Sequence, residues 1–523
     1  MPFASLLAAT LACGTPLTAA EKPNVVIIYG DDVGYGDVGV YGSQKIPTPH
    51  IDRIASEGLR FTDAHCAAST CTPSRYSLLA GEFPFRKKGT GIANGLANMI
   101  IAPDQFTLAD VFHDSGYQTA VIGKWHLGLD DEKLDWNGHI KPGPEALGFD
   151  HHFIIPATND RIPTVYMENG RVVNLDPGDP ITVSRSKRIP ASVPGTTYPD
   201  ARLNPEAVTA YASDISHAKT VINGIGRIGY MKGGKRALFK DEDIADDLVR
   251  EASRFIRQHK DRPFFLFFSA SDIHAPRWPH SRFRGKSKHG LRGDAMVSFD
   301  WSAGTLVALI DELGLKDNTI VIVTSDNGPV YIDGGYLDGC ETIRSNGSDR
   351  GHDASGIYRG GKYLAYEGGT RVPTIIRWPH RITPGTSGAL LTQTDFLASF
   401  AALVNQAIPD GQARDSRNYF NTLIGKDRQG ADIIIEHSRR PAIRKKHWKY
   451  IAKPAELYDL SQDPGEQNNL AESHPEKTSE MSVLLEKYLR EPGGQGSGVR
   501  GRESGVGSRG SGVGSRGSGV GGR

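Results

Sequence analysis

The chain has 523 residues, 61 Lys and Arg against 60 Asp and Glu, a formal net charge of +1, and four cysteines. That length favours two buried units over one, and the even charge gives no whole-chain footprint for nucleic acid or a membrane surface. So few cysteines exclude a disulfide framework, which leaves individual thiols available for chemistry.

The first twenty residues, MPFASLLAATLACGTPLTAA, have an apolar centre and end in Thr18-Ala19-Ala20, small residues suited to a signal peptidase. They read as a secretory signal over 1–20, although the first basic residue is Lys22. Lipid attachment at Cys13 would call for an aliphatic residue three positions earlier; Thr10 stands there, so Cys13 reads as part of the apolar stretch. No later run reaches the length of a membrane span. The mature chain is expected to be exported, periplasmic or secreted.

From Asn24 to about residue 400, short apolar runs alternate with helical periodicity, which predicts an α/β domain with a mostly parallel sheet. NVVIIYG, TAVIG, FFLFFSAS and TIVIVTS are rich in β-branched or aromatic residues, lack proline, and read as strands buried on both faces. Helical faces recur between them: Ile51, Ile54 and Ala55 before Gly58; Ile244, Leu248, Ala252, Phe255 and Ile256 before Pro263; Leu306, Leu309, Ile310 and Leu313 before Gly314. Residues 151–235, with PGDP and SVPGTTYP, read as a long irregular excursion that shapes a pocket. The main unit is expected over 21–428. ADIIIEHS, HWKYIAK and EMSVLLEKYL predict a small α+β unit over 429–492. The repeats of SGVGSRG in 493–523 have almost nothing to bury and read as a disordered tail.

Ligands of an open parallel sheet bind beyond the carboxyl ends of its strands. NVVIIYG runs into Asp31 and Asp32, TAVIG into Lys124 and His126, FFLFFSAS into Asp272 and His274, and TIVIVTS into Asp326 and Asn327. Asp31, Asp32, Asp326 and Asn327 offer only oxygen, which is Ca²⁺ or Mg²⁺ chemistry. The Asp31-Asp32 pair alone reads as a solvated turn; beside Asp326-Asn327 it favours a metal. Arg75, Lys124, His126, His274 and Lys362 exceed what one metal site needs, and suit a tetrahedral anion whose leaving oxygen requires a proton. Cys71 stands two residues before Pro73, at the expected start of a helix. A thiolate nucleophile there is conceivable, yet a soft thiolate is a poor partner for a hard cation.

These residues resemble the formylglycine-dependent type I sulfatases of the alkaline phosphatase superfamily. CTPSR matches the C-x-P-x-R signature, and CTPSRYSLLAG follows its longer form except that Ala80 replaces the usual threonine. The DD after the first strand, GKWHLG, SDNG and GGKYLAYEGGTRVP follow in the family's order, and the likeness runs from about Asn24 to residue 471. The resemblance implies a large mixed, mostly parallel sheet sandwiched by helices, with a small C-terminal α+β unit. It implies oxidation of Cys71 by a formylglycine-installing enzyme that reads Pro73 and Arg75. The resulting hydrated aldehyde would supply the attacking hydroxyl and join Asp31, Asp32, Asp326 and Asn327 around one Ca²⁺. Arg75 would stabilise the hydrate, Lys124 and Lys362 would hold sulfate oxygens, and His126 would take a proton from the second hydroxyl so that sulfate is eliminated. His274 would protonate the departing alcohol.

The resulting expectation is a sulfuric ester hydrolase acting on a sulfated glycan or small sulfate ester. Phosphonate or phosphate monoester hydrolysis with the same modified cysteine is the alternative, followed by a non-catalytic, metal-dependent binder of anionic glycans. Cys66 and Cys340 read as small buried residues rather than a disulfide.

Overall fold

The computed structural model describes residues 22–490, apart from 131, 214–216, 332–335 and 338–348. The expected signal with Cys13, Cys340 and the glycine-rich repeat lie outside the described residues. Among the described residues no helix is long and apolar enough to cross a membrane.

Five parallel strands form the centre of a ten-stranded mixed sheet. They are β1 (Asn24–Gly30), β2 (Gln118–Lys124), β3 (His151–Ile155), β4 (Phe264–Ser269) and β5 (Thr319–Ser325), in the spatial order β5-β1-β4-β2-β3. β6 (Thr374–Arg377) runs antiparallel to β5, and a short antiparallel hairpin of Met167–Glu168 and Arg171–Val172 extends the β3 edge. The stretch expected to be irregular from 151 therefore opens with a sheet strand. Its polar start, His151-His152, hides an apolar run of only Phe153, Ile154 and Ile155.

Alternation along each strand feeds two cores. Val25, Ile27 and Tyr29 share one face with Phe265 and Phe267, covered by α2 (Cys71–Ala80), α3 (Leu108–His113) and α6 (Phe396–Val404). Val26 and Ile28 share the other face with Leu266 and Phe268, beneath α1 (Pro49–Ser56), α4 (Ile244–His259) and α5 (Gly290–Glu312). The expected helical faces are the buried ones: Ile51, Ile54 and Ala55 on α1, and Leu248, Ala252, Phe255 and Ile256 on α4. Each fully buried aliphatic or aromatic side chain contributes about 1.5–3 kcal/mol, so this double-sided burial fixes the strands whose ends carry the polar residues.

Near the C-terminus, β7 (Ile433–Glu436), β8 (Ala442–Lys445), β9 (Trp448–Ile451) and β10 (Glu456–Asp459) form a separate antiparallel sheet. Helix α7 (Pro475–Arg490) buries Met481 and Leu485 against Ile435, Ile443, Tyr450 and Leu457 of that sheet.

Candidate active site

The register brings the strand ends level. Gly30 pairs with Ser325, Tyr29 with Ser269, and Ser269 with Gly123. Asp31, Asp326 and Lys124 consequently emerge side by side. Gly123 has φ 113°, and a Cβ there would lie 1.9 Å from the Ser269 carbonyl oxygen, so only glycine fits before Lys124. Gly328 answers a second close approach, because its Cβ would fall 1.8 Å from the Gly368 carbonyl oxygen. Asp32 and His126 adopt left-handed backbone, φ 62° and 59°, a strain that cores of chemistry commonly carry.

Helix α2 delivers the CTPSR segment with one task per residue. Cys71 is its first residue and is buried at the cleft floor. The Thr72 hydroxyl donates to the His126 carbonyl (3.1 Å) and accepts from the Ala93 N–H (3.1 Å), which ties the helix start to the His126 loop. Pro73 lies in the first turn, where its missing N–H costs nothing. Ser74 Oγ donates to the Ala68 carbonyl at 2.7 Å. Arg75 reaches inward: Nε and Nη2 donate to Asp326 Oδ2 at 3.0 and 2.7 Å, and Nη1 donates to the Lys124 carbonyl at 3.2 Å.

Around Cys71 the expected residues meet. Lys124 Nζ donates to both Asp31 oxygens at 2.7 Å and lies 3.8 Å from Asp326 Oδ2. Lys362 Nζ donates to Asp32 Oδ2 at 2.9 Å, and Asn327 Nδ2 to Asp32 Oδ1 at 2.7 Å. Asp31, Asp32 and Asp326 turn oxygens within 4.8 Å of one another, and a carboxylate oxygen of Asp31, the Cys71 Sγ and a ring nitrogen of His274 form a second trio within the same distance. Burial would raise Asp31, but Lys124, His274 and Arg75 hold it below the usual carboxylate range, whereas burial and the Asp31 charge push Asp326 up. Burial also opposes charge on His274, yet Asp31 outweighs it and holds the imidazole at about 9, protonated at neutral pH. Burial, then Lys124 and Arg161, push His126 well below its ordinary value. Its Nε2 donates to the Ala93 carbonyl at 2.9 Å, which leaves Nδ1 with a lone pair and no hydrogen-bond partner.

The site fits a hard cation on one further observation. Asn327 Oδ1 is buried and has no hydrogen-bond partner, although a buried amide oxygen is expected to find one. It belongs to the segment that supplies Asp326. An oxygen-only donor set with one unsatisfied neutral acceptor fits a hard divalent cation.

Of the strand-end residues, Asp272 stays apart. Its Oδ1 accepts from the Ser298 hydroxyl of α5 at 2.6 Å, and burial raises its pKa to about 6. Asp160, Arg161, His217 and Tyr363 join Cys71, His126, His274 and Lys362 in lining a cleft of about 150 Å³. Asp160, Arg161 and His217 lie in the 151–235 stretch expected to shape a pocket and Tyr363 follows Lys362 in GGKYLAYEGGTRVP, but no sequence signal singled out any of the four. Asp160 accepts from His217 Nε2 at 3.3 Å and pairs with Arg161 at 3.4 Å. Cys66 is a free, buried thiol donating to the Ala68 and Thr370 carbonyls. Ala80, the departure from the longer signature, closes α2 in the core and lines no part of the cleft.

A parallel α/β sheet that gathers carboxylates, fixed cations and two histidines of opposite protonation around one buried residue defines a hydrolase of anionic esters. The chain belongs to the Sulfatase family, whose model matches residues 23–406, and it is a sulfuric ester hydrolase. It is 48% identical over 488 residues to an N-acetylgalactosamine-6-O-sulfatase of Bacteroides thetaiotaomicron, covering 89% of this chain and 93% of the relative. Arylsulfatase A of Bos taurus is 31% identical, over 90% of this chain and 88% of its own length. A solved Bacteroides thetaiotaomicron structure, described with the metabolism of multiple glycosaminoglycans, superposes with a TM-score of 0.85 at 47% identity, covering 89% of this chain and 99% of that one.

Proposed function

We propose that the protein is exported and removes a 6-O-sulfate from an N-acetylgalactosamine-bearing glycan, with Cys71 oxidised to formylglycine as nucleophile beside one Ca²⁺. The observation that carries this reading is that Cys71, at the α2 N-terminus and lining the cleft, lies in a close trio with Asp31 and His274, while Asp31 also belongs to the trio with Asp32 and Asp326, the last next in sequence to Asn327 with its partnerless amide oxygen. The sugar and the sulfate position rest on the 48% identical relative. Maturation requires a formylglycine-installing enzyme, and Cys71, Pro73 and Arg75 are the residues it would read.

Asp31, Asp32, Asp326 and Asn327 would hold the cation, which supplies Lewis acidity at a sulfate oxygen and at the nucleophile. Arg75, fixed against Asp326, keeps positive charge beside residue 71. Lys124 and Lys362 reach the carboxylates from two different segments, and their ammonium groups are sited to hold the remaining sulfate oxygens. His274, protonated well past neutral pH, donates its proton to the leaving sugar oxygen, so the departing group is an alcohol and not an alkoxide. His126 is neutral with a free Nδ1 lone pair, and accepts the proton whose removal expels sulfate and restores residue 71.

The test is sulfate release from N-acetylgalactosamine 6-sulfate, its 4-sulfate isomer, an aryl sulfate and the matching phosphate esters. The 6-sulfate should have the highest kcat/KM. Preferential phosphate release would return the reading to the phosphomonoesterase alternative, and a 4-sulfate preference would overturn the assigned position.

A further inference from the structure

The cleft over Cys71 does not end at the catalytic residues. It adjoins a larger cavity of about 260 Å³, and the two share Ile92, Arg161 and Ile228 as a common wall. Ile162, Leu96 and the Asn94-Gly95 backbone line the far side, and Arg185 stands at the rim. Arg185 follows the short strand Thr182–Ser184, is exposed, and makes no ion pair or side-chain hydrogen bond with any described residue.

The charge around that rim is one-sided. Lys219 Nζ donates to the Arg185 carbonyl at 2.8 Å, which brings a second cation alongside. Burial, then Arg202 and Arg185, lower the Lys219 pKa, and Asp200 partly offsets them. Exposed Lys187 lies two residues from Arg185. The nearby carboxylate of Asp200 is engaged by Arg188 at 2.6 Å. A guanidinium fork lining a cavity that adjoins the reaction cleft matches a planar carboxylate or a sulfate.

We propose that this second cavity is a subsite for the sugar adjoining the sulfated ring, and that Arg185 reads an anionic substituent on it, a uronate carboxylate or a second sulfate. The inference rests on the glycan sulfatase reading above. It extends that reading from one sulfated ring to an oligosaccharide with charge on the neighbouring unit. Ile92, Ile162 and Ile228 would cover the apolar face of the second ring, with Arg161 at the junction of the two subsites.

The experiment compares wild type with Arg185→Ala and Arg185→Lys on three disaccharides with the same 6-sulfated ring, joined to a neutral sugar, a uronic acid or a second sulfated sugar. For wild type, one of the charged neighbours should give the lowest KM, and which one identifies the anion. Arg185→Ala should raise KM for that substrate about tenfold, with kcat and the thermal midpoint held, and shift the neutral disaccharide far less. Arg185→Lys should recover only part of the loss. Equal KM changes on all three, or none, in an active enzyme would overturn the subsite while leaving the sulfatase reading standing. Absence of wild-type turnover on every 6-sulfated substrate would instead overturn the reading beneath it, and the subsite with it.

Discussion

Asp31, Asp32 and Asp326 lie at the carboxyl edge of the central sheet, while Asp63, Glu367, Glu436 and Glu466 lie where the C-terminal sheet meets it. Both groups are largely buried; Asp31, Asp32 and Asp326 are spaced closely enough to grip a metal ion, and so are Asp63 and Glu367 together with His65 beside them. In the second group Arg444 donates to the two Asp63 oxygens at 2.5 and 2.6 Å, Arg371 lies 2.6 Å from Glu367, and Lys449 lies 2.9 Å from both Glu367 and Glu436. Burial, outweighing Lys449, pushes Glu466 to about 8, so it carries a proton at neutral pH. Asp63, Glu367 and Glu436 then face Arg371, Arg444 and Lys449, and the charges close upon themselves. The first group has cations too, in Arg75, Lys124 and Lys362, so charge balance does not separate the two. What separates them is how the acceptors without hydrogen bonds are placed: Glu436 Oε2 and Glu466 Oε1 lie 2.9 and 3.5 Å from the Lys449 ammonium, whereas Asn327 Oδ1 and His126 Nδ1 have no hydrogen-bond partner, and His126 lines the open cleft. A buried cluster that satisfies itself braces the fold; one that keeps acceptors in reserve is built for a ligand.

The contrast can be broken most forcefully at the proposed nucleophile. Cys71→Ser, nearly isosteric, should lower turnover at least ~10³-fold with the thermal midpoint unchanged; near-normal sulfate release would remove residue 71 from the chemistry. Next in size is the metal response. Chelation should lower the thermal midpoint of wild type, with Ca²⁺ restoring it, and Asp326→Asn should erase that shift along with most activity. A calcium response that survives Asp326→Asn would move the ion elsewhere. Lys449→Met then tests the self-satisfied cluster. Removing the cation from a buried network should cost about 3–5 kcal/mol in urea unfolding, with no rescue by Ca²⁺; a calcium-dependent recovery would make the second cluster a metal site as well.

Much of the candidate site was legible because its residues follow strands. β1, β2, β4 and β5 announce themselves as apolar runs buried on both faces, and the polar residues after them must emerge at one edge. Cys71 and Arg75 were legible through CTPSR. Asp272 misled because its strand position is right but the Ser298 hydroxyl on α5 turns its carboxylate away. Asp160, Arg161 and His217 were legible only as members of a pocket-shaping stretch and not individually, since they sit in irregular chain whose course depends on distant packing rather than on periodicity. The second carboxylate cluster was silent: Arg444 and Asp63 are separated by 381 positions, and no local pattern links them.

The smallest effect sharpens the comparison from a third side. Asp395 is a buried carboxylate that accepts from the Arg417 backbone N–H at 2.8 Å, and burial raises its pKa to about 8. A carboxyl raised above its unfolded value of about 3.9 binds more protons when folded, so stability falls as pH rises from about 4 towards 8. Asp395→Asn should therefore narrow the gap in thermal midpoint between pH 5 and pH 8. An unchanged gap would show that this carboxylate is ionised in the folded protein.

Mass spectrometry of the peptide containing Cys71, from active enzyme made in its native host, tests the proposed nucleophile most directly. Formylglycine at position 71 replaces the side chain CH₂SH by CHO, a loss of sulfur and two hydrogens with the gain of one oxygen, and its fraction should track specific activity across preparations. An intact thiol throughout a fully active preparation would contradict the mechanism.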